Sequence, residues 1–411
     1  MNLKDIGITA FFGLLLTTAV AVAVRSSPGP ARLPVAVRLP LEVRVFERGE
    51  FVDSLGLKDF ELIEAGVRGT PEALLLVRRG HIDRQEGATD IRPDLSRKLS
   101  ILLQLNDYSN KIEEAITYIF TNGLLPGDTL EIQTPVRNYQ LSAAHLAAKP
   151  PAVLAQELIK IIHRDILQGN VVFNSILREL KTIVRLIGGA AHEAVDDTEG
   201  EVDDSSALDT KLMRYKENLQ KMEELRVLID ANLAAYADKL RSQPGQKFVF
   251  YFYQREFRPE ISSNTLDALM MNNQDRPDIL AELQNIFPLY HRSITLDHAK
   301  LTGLFADSMA NVNFLFMNKQ AERVSGITMR EQSEDIFKAL AKIAEATGGI
   351  VDSSQNPAAS IKTAMKAAES YYLLFYTPSV AAPTGAFLDL EVKVKDRNYK
   401  VIHPAGHISR S

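Results

Sequence analysis

The sequence predicts an α/β fold: a mostly parallel sheet with helices on both faces, joined to a small β-sandwich-like module and interrupted by a helical insertion. Three observations carry this. Apolar strands such as "FVFYFY" (248–253) and "VNFLFM" (312–317) alternate with helical stretches, the pattern of a parallel sheet. Strands with strict two-residue alternation stand instead near the two ends of the sequence. Between about 170 and 243, apolar residues recur at spacings of three and four, as on helices packed side by side.

The chain has 411 residues, 45% of them hydrophobic, enough for a full core and more than one structural unit. Its 47 basic and 52 acidic residues leave a formal charge of −5, which argues against a nucleic-acid partner or a polybasic lipid-binding segment. Cysteine is absent, so disulfides, thiolate metal sites and cysteine catalysis are excluded together.

The elements follow in order. Lys4 precedes an uncharged run, Ile6 to Val24, that ends at Arg25. Some nineteen residues at about 1.5 Å each just span a hydrocarbon layer of about 30 Å. Ala19, Ala21 and Ala23 offer A-x-A cleavage sites, so residues 1–25 are expected to be a signal peptide or a membrane anchor. The rest of the chain is then exported, to the periplasm, cell envelope or extracellular space, touching a membrane only through this segment if it stays uncleaved. A Ser/Pro/Gly-rich linker, 26–33, follows.

Residues 34–92 read as a β module. Val35, Val37, Leu39, Leu41, Val43 and Val45 share one face of a strand, with Arg38, Glu42 and Arg44 on the other. Pro40 cannot donate to a ladder and suggests an edge or bulge. The α/β domain spans 93–377, with strands at Leu99–Leu105 and Thr129–Gln133, a helix from Asn110 to about Thr121, and the two apolar strands quoted above. Its functional crevice is expected at the carboxyl ends of the strands.

In the insertion, about 170–243, Phe173, Ile176, Leu180, Ile183 and Ile187 form one stripe. Leu212, Tyr215, Leu219, Met222, Ile229, Leu233, Tyr236 and Leu240 form a second, broken by Arg226. An antiparallel pair burying these stripes is expected. The acidic segment between them lacks the register of a calcium loop and reads as a solvated tip. Residues 378–411 alternate at Leu388, Leu390, Val392 and Val394, and "DRNYKVIH" completes an expected hairpin that joins the N-terminal module.

Three separated stretches, "RGEFVDSLGLKDFELIEAG" (48–66), "LLQLNDYSNKIEEAI" (102–116) and "LAKIAEATGGIVDSSQNPAASIKTAMKAAESYYLLFYTP" (340–378), resemble in kind and order the bacterial, acidobacterial-type VWFA-related family, a branch of the von Willebrand factor type A domains. The resemblance covers about 35–406 apart from the helical insertion. It implies a Rossmann-like sheet used mainly to bind proteins.

Full type A domains hold Mg²⁺ or Mn²⁺ at the strand ends through an Asp-x-Ser-x-Ser loop, a distant threonine and a further aspartate. Here Asp107 and Ser109 match, while Lys111 replaces the third position, no threonine follows in "YQLSAAHLAAKPPAVLAQEL", and "YQREF" brings Gln254 and Arg255 where the aspartate would stand. An ammonium about 4 Å from a divalent ion repels it by up to roughly 8 kcal/mol at an effective dielectric of about 20. The resemblance therefore implies a degenerate metal site, with Asp107 and Ser109 as its remnant and no bound Mg²⁺ or Mn²⁺. Asp107 is expected to pair with Lys111 or Arg255, and Asp107 or Ser109 to cap the next helix.

No nucleophile, zinc or phosphate-loop motif occurs. His145, His163, His291 and His298 are scattered. "ATGGIV" follows a helix and reads as its C-cap; "FVFYFY" suits an interior strand better than a base-stacking surface. The expected function is metal-independent, non-enzymatic protein binding. The alternatives are a periplasmic hydrolase-like enzyme using Asp107, Glu256 and Asp352, or a structural component of an envelope assembly.

Overall fold

The computed structural model describes residues 38–410 except 89, 194–203, 226–229, 292–295, 325, 355, 379, 381 and 396–397. The apolar run 6–24, the middle of the acidic tip (194–203) and Arg226 lie outside these residues, while the two ends of the tip segment are helical.

The chain opens with β1 (Leu39–Glu47), β2 (Glu50–Phe51), β3 (Phe60–Glu64), β4 (Val67–Gly69), β5 (Ala73–Arg78) and β6 (His81–Gly87). The central part begins with β7 (Arg97–Gln104), α1 (Asn110–Tyr118), β8 (Thr129–Gln133), β9 (Asn138–Leu141), α2 (Ala143–Ala147) and α3 (Pro151–Gly169). The insertion holds α4 (Val171–Glu193), α5 (Asp204–Glu224) and α6 (Asp230–Ser242). Then come β10 (Gln246–Gln254), β11 (Phe257–Ile261), α7 (Ser263–Asn272), α8 (Pro277–Gln284), α9 (His298–Asp307), β12 (Ala310–Met317), β13 (Ile327–Glu331), α10 (Glu334–Ala346), β14 (Val351–Asp352) and α11 (Pro357–Ala368). The last strands are β15 (Ser370–Tyr376), β16 (Phe387–Val394), β17 (Lys400–Ile402) and β18 (Gly406–Ile408).

The central sheet runs β14-β12-β10-β7-β8-β9. All its pairings are parallel except β8 with the edge strand β9. Counted along the chain the order is 3-2-1-4-5-6, that of doubly wound α/β sheets. Strand β10 is buried along its whole length, which explains its unbroken apolar sequence. Phe248, Phe250 and Phe252 pack beneath α1, α3 and α11. Val249, Tyr251 and Tyr253 pack beneath α6, α9 and α10.

The early and late strands do meet. β3 pairs with β16, and β1 pairs with β15 and, through Arg44–Phe46, with β17. Two sheets enclose Leu41, Val43, Phe60, Leu62, Leu74, Tyr372, Leu374, Leu390 and Val392. Pro40 sits in the half of β1 that has only β15 beside it, where a missing donor costs no ladder bond.

Two expectations are corrected. Strand β15 lies between β1 and β5 rather than within the α/β domain, so the chain re-enters the β module at about 370, not 378. Residues 400–402 pair with β1 in the opposite sheet rather than with β16, and the hairpin closes further on, where β18 pairs antiparallel with Phe387–Asp389. On the side of β16 that β18 covers, and beyond that pairing, His403 continues the contact: its Nε2 accepts the Val392 N–H at 3.3 Å. Burial lowers the pKa of this histidine, which keeps the ring neutral and able to accept.

The helical stripes are buried, but in two places. Phe173, Ile176, Leu180, Ile183 and Ile187 of α4 meet Leu212, Tyr215, Leu219 and Met222 of α5, and both helices rest on α7 and α8. The second stripe breaks before α6, whose Leu240 serves the central sheet. No described helix is long and apolar enough to cross a membrane.

The β module and the crevice lie at opposite poles. Gln246 at the start of β10 donates to Glu42 (3.0 Å), and Arg44 to the Gly348 carbonyl (3.4 Å). A strand of eight or nine residues at about 3.3 Å each sets the carboxyl-end face about 25 Å away.

Candidate functional site

The strand order reverses between β7 and β10, the place at which doubly wound sheets form their crevice, and Leu105–Ser109 and Gln254–Arg255 leave the sheet there. Gln254 is buried, and its side-chain oxygen accepts the N–H groups of Asn106 (2.9 Å) and Asp107 (2.8 Å). Asn170, at the α3–α4 junction, donates to the Leu105 carbonyl at 2.7 Å. The loop is thus fixed from both sides by neutral amides.

The Asp107 carboxylate projects from this loop. One oxygen accepts the Tyr108 N–H (2.9 Å), and the other faces the Lys319 ammonium at 3.5 Å. Lys319 is the cation met here, a residue the sequence reading did not single out. Arg255 instead pairs with Glu331 (3.1 Å) and lies over the Phe316 ring. Asp107 and Lys319 are 58% and 39% exposed, so their pairing contributes no more than about 1 kcal/mol. Its importance is that the group facing the strand-end carboxylate is an ammonium.

Ser109, not Asp107, caps α1 by accepting the Lys111 N–H at 3.3 Å. Beside it the Tyr108 ring stacks on His163, centroids 4.1 Å apart and planes at 22°. The Tyr108 hydroxyl donates to Glu113 (3.0 Å); burial and that carboxylate raise its pKa.

These residues do not fit a hard divalent ion, which requires about six oxygen ligands in near-octahedral array. The Ser109 hydroxyl and the Gln254 oxygen already accept backbone N–H groups, and an ammonium faces the one projecting carboxylate. No three His, Asp or Glu side chains form a candidate metal group among the described residues.

Of the three expected catalytic candidates, Asp352 stands apart from Asp107. Asp352 ends β14, three strands from β7, hence about 14 Å across the sheet from Asp107. It accepts from Ser354 and Ser360 near the start of α11. Glu256 is buried between β10 and β11. His145 belongs to the cap of α2, His163 to the Tyr108 stack, His291 follows the 287–290 turn and His298 begins α9.

"ATGGIV" forms the end of α10, as its glycines suggest. Gly348 has φ +68°, and a Cβ on Gly349 would lie 1.9 Å from the Val312 carbonyl oxygen. It is a helix stop pressed against β12.

Next to the crevice, the 318–324 segment and the β11–β13 pair enclose an open groove of about 920 Å³. It is lined by the cations Arg255, Lys319 and Arg323 and by the apolar Phe257, Val324, Ile327 and Met329. The two strands are separated by more than sixty residues of sequence, and neither "FRPEI" nor "ITMRE" has a pattern that announces them. The only sequence signal for the groove was the cationic residue of "YQREF". Comparison of the chain with protein-family models, with curated proteins and with solved structures finds no match.

Proposed function

We propose that the protein is an exported, non-enzymatic binding module of von Willebrand factor type A-like fold, which engages a protein partner at its carboxyl-end face without a metal ion. The observation that carries this reading is the switch-point crevice of a 3-2-1-4-5-6 sheet whose projecting carboxylate, Asp107, faces the Lys319 ammonium. The single antiparallel edge strand and the three stretches of type A-like sequence support the same reading. The polarity of the molecule fits it as well. The described chain begins in the β module, and the carboxyl-end face lies about 25 Å away at the other pole.

The test is site-specific photo-crosslinking in the envelope fraction of the native cells, with p-benzoylphenylalanine replacing Tyr108 in the crevice or Arg68 on the distant β module. A discrete protein adduct is expected from position 108, unchanged in EDTA, and not from position 68. Loss of the adduct in EDTA, or equal adducts from both positions, contradicts the proposal.

A further inference from the structure

We propose that the groove between the 318–324 segment and the β11–β13 pair binds an acidic, extended segment of a protein partner in which carboxylates are interspersed with apolar side chains. This rests on the binding-module reading and names the chemistry of the partner.

Charge is the first argument. Among the described residues lining the groove, three cations, Arg255, Lys319 and Arg323, stand against one carboxylate, Glu322. Glu322 is itself turned to α4, where it pairs with Lys181. The hydrogen bond from Lys181, and the charges of Lys181, Arg185 and Lys319, hold its pKa below the ordinary carboxylate value. Arg255 and Lys319 are matched by Glu331 and Asp107, and Glu322 by Lys181, so the local excess of positive charge rests on the exposed Arg323, and such an excess favours an anionic partner.

Shape and apolar lining supply the second argument. Phe257, Val324, Ile327 and Met329 line the groove and are half-buried, so they offer apolar area to side chains set between the carboxylates. An inorganic anion would use the cations and leave this lining wet. The volume, about 920 Å³, lies at the upper end for ligand sites, and its open form suits a chain passing through more than an enclosed small molecule.

The cations differ in how available they are. Arg255 is held by Glu331 and by the Phe316 ring, which presets its guanidinium. Arg323 is exposed, and Lys319 reaches both Asp107 and the groove. A partner carboxylate can take over the Lys319 ammonium from Asp107 at little cost, because that exposed pair is weak.

The probe is a fluorescein-labelled peptide of about eight residues, roughly 26 Å when extended, with glutamate and leucine in alternation. A twin carries glutamine in place of every glutamate. Fluorescence anisotropy with the full chain in EDTA is expected to show saturable binding of the acidic peptide alone. Lys319→Gln combined with Arg323→Glu is expected to weaken it at least about tenfold, with an unchanged melting temperature because both side chains lie at the surface. Glu322→Gln is expected to tighten it.

Equal binding of the two peptides, or equal binding by the double variant, overturns the groove assignment. So does absence of binding by the unaltered protein. None of these outcomes removes the position-108 adduct, so failure of the groove is distinguishable from failure of the binding-module reading.

Discussion

Tyr372→Ala is expected to destabilise the β module by roughly 4–6 kcal/mol, the sum of a lost core aromatic and a stranded backbone group. The ring is fully buried in β15, stacked on Phe51 at 5.4 Å and edge-on to Phe60 at 5.2 Å. Its hydroxyl donates to the Val52 carbonyl (2.7 Å) and accepts from the Leu55 N–H (3.2 Å). Burial pushes its pKa up to about 12, so it keeps its proton and can serve both bonds at neutral pH. Tyr372→Phe retains the packing and is expected to cost only about 1–2 kcal/mol. Urea unfolding monitored by hydrogen exchange of β1 and β5 separates the two effects. A loss below about 1 kcal/mol for Tyr372→Ala would show that β15 is not the strand joining the two ends of the chain.

Arg97→Met is expected to cost about 3–5 kcal/mol at neutral pH, because it leaves the Asp128 carboxylate buried without its partner. The two groups lie 3.4 Å apart and are 7% and 2% exposed. Arg97 also donates to the Gly123 carbonyl (3.0 Å) and lies over Phe248, while Asp128 accepts the Leu125 N–H at 2.7 Å. Burial moves Arg97 down and Asp128 up, against their mutual attraction. Desolvation therefore outweighs the pairing, and Arg97→Met with Asp128→Leu is expected to recover most of the loss.

The pH dependence has a definite sign. With its pKa raised in the folded protein, Asp128 keeps its proton to higher pH than in the unfolded chain. Its contribution is therefore most favourable in acid and is lost as pH rises from the unfolded value, about 3.9, through the folded one. In Arg97→Met, where no guanidinium opposes the shift, the defect should shrink markedly by about pH 4. A single variant no less stable than the double, or a defect that does not depend on pH, contradicts the account.

Much of the architecture is legible because local patterns and burial agree. The unbroken "FVFYFY" is buried on both faces in β10, the alternation at 388–394 matches the exposed and buried sides of β16, and Ser109 and Gly348 stop or start their helices as their residue types suggest. "SYYLLFY" was assigned to the wrong layer for a physical reason. A strand buried on both faces reads the same in a parallel sheet as in a sandwich whose outer face is covered, here by Ala88, Ile91 and Leu95. The site was half legible. The Asp107 loop has a local signature, but Lys319 arrives from 212 residues away and obeys no spacing rule. Arg255 was recognised as a cation near the crevice, yet its partner Glu331 lies on a strand whose pairing is non-local.

The proposed metal-independent binding rests on the Lys319 ammonium that faces the strand-end carboxylate of Asp107. Titration of MnCl₂ into the protein and into Asp107→Ala, followed by calorimetry and by melting temperature, tests it most directly. A resident ion at a hundred times its dissociation constant would add about 2.7 kcal/mol, a rise of a few degrees in a domain of this size. No saturable heat is expected, and each protein keeps its melting temperature when millimolar Mn²⁺ is added. Saturable one-to-one binding with a rise of several degrees, abolished by Asp107→Ala, would contradict the proposal.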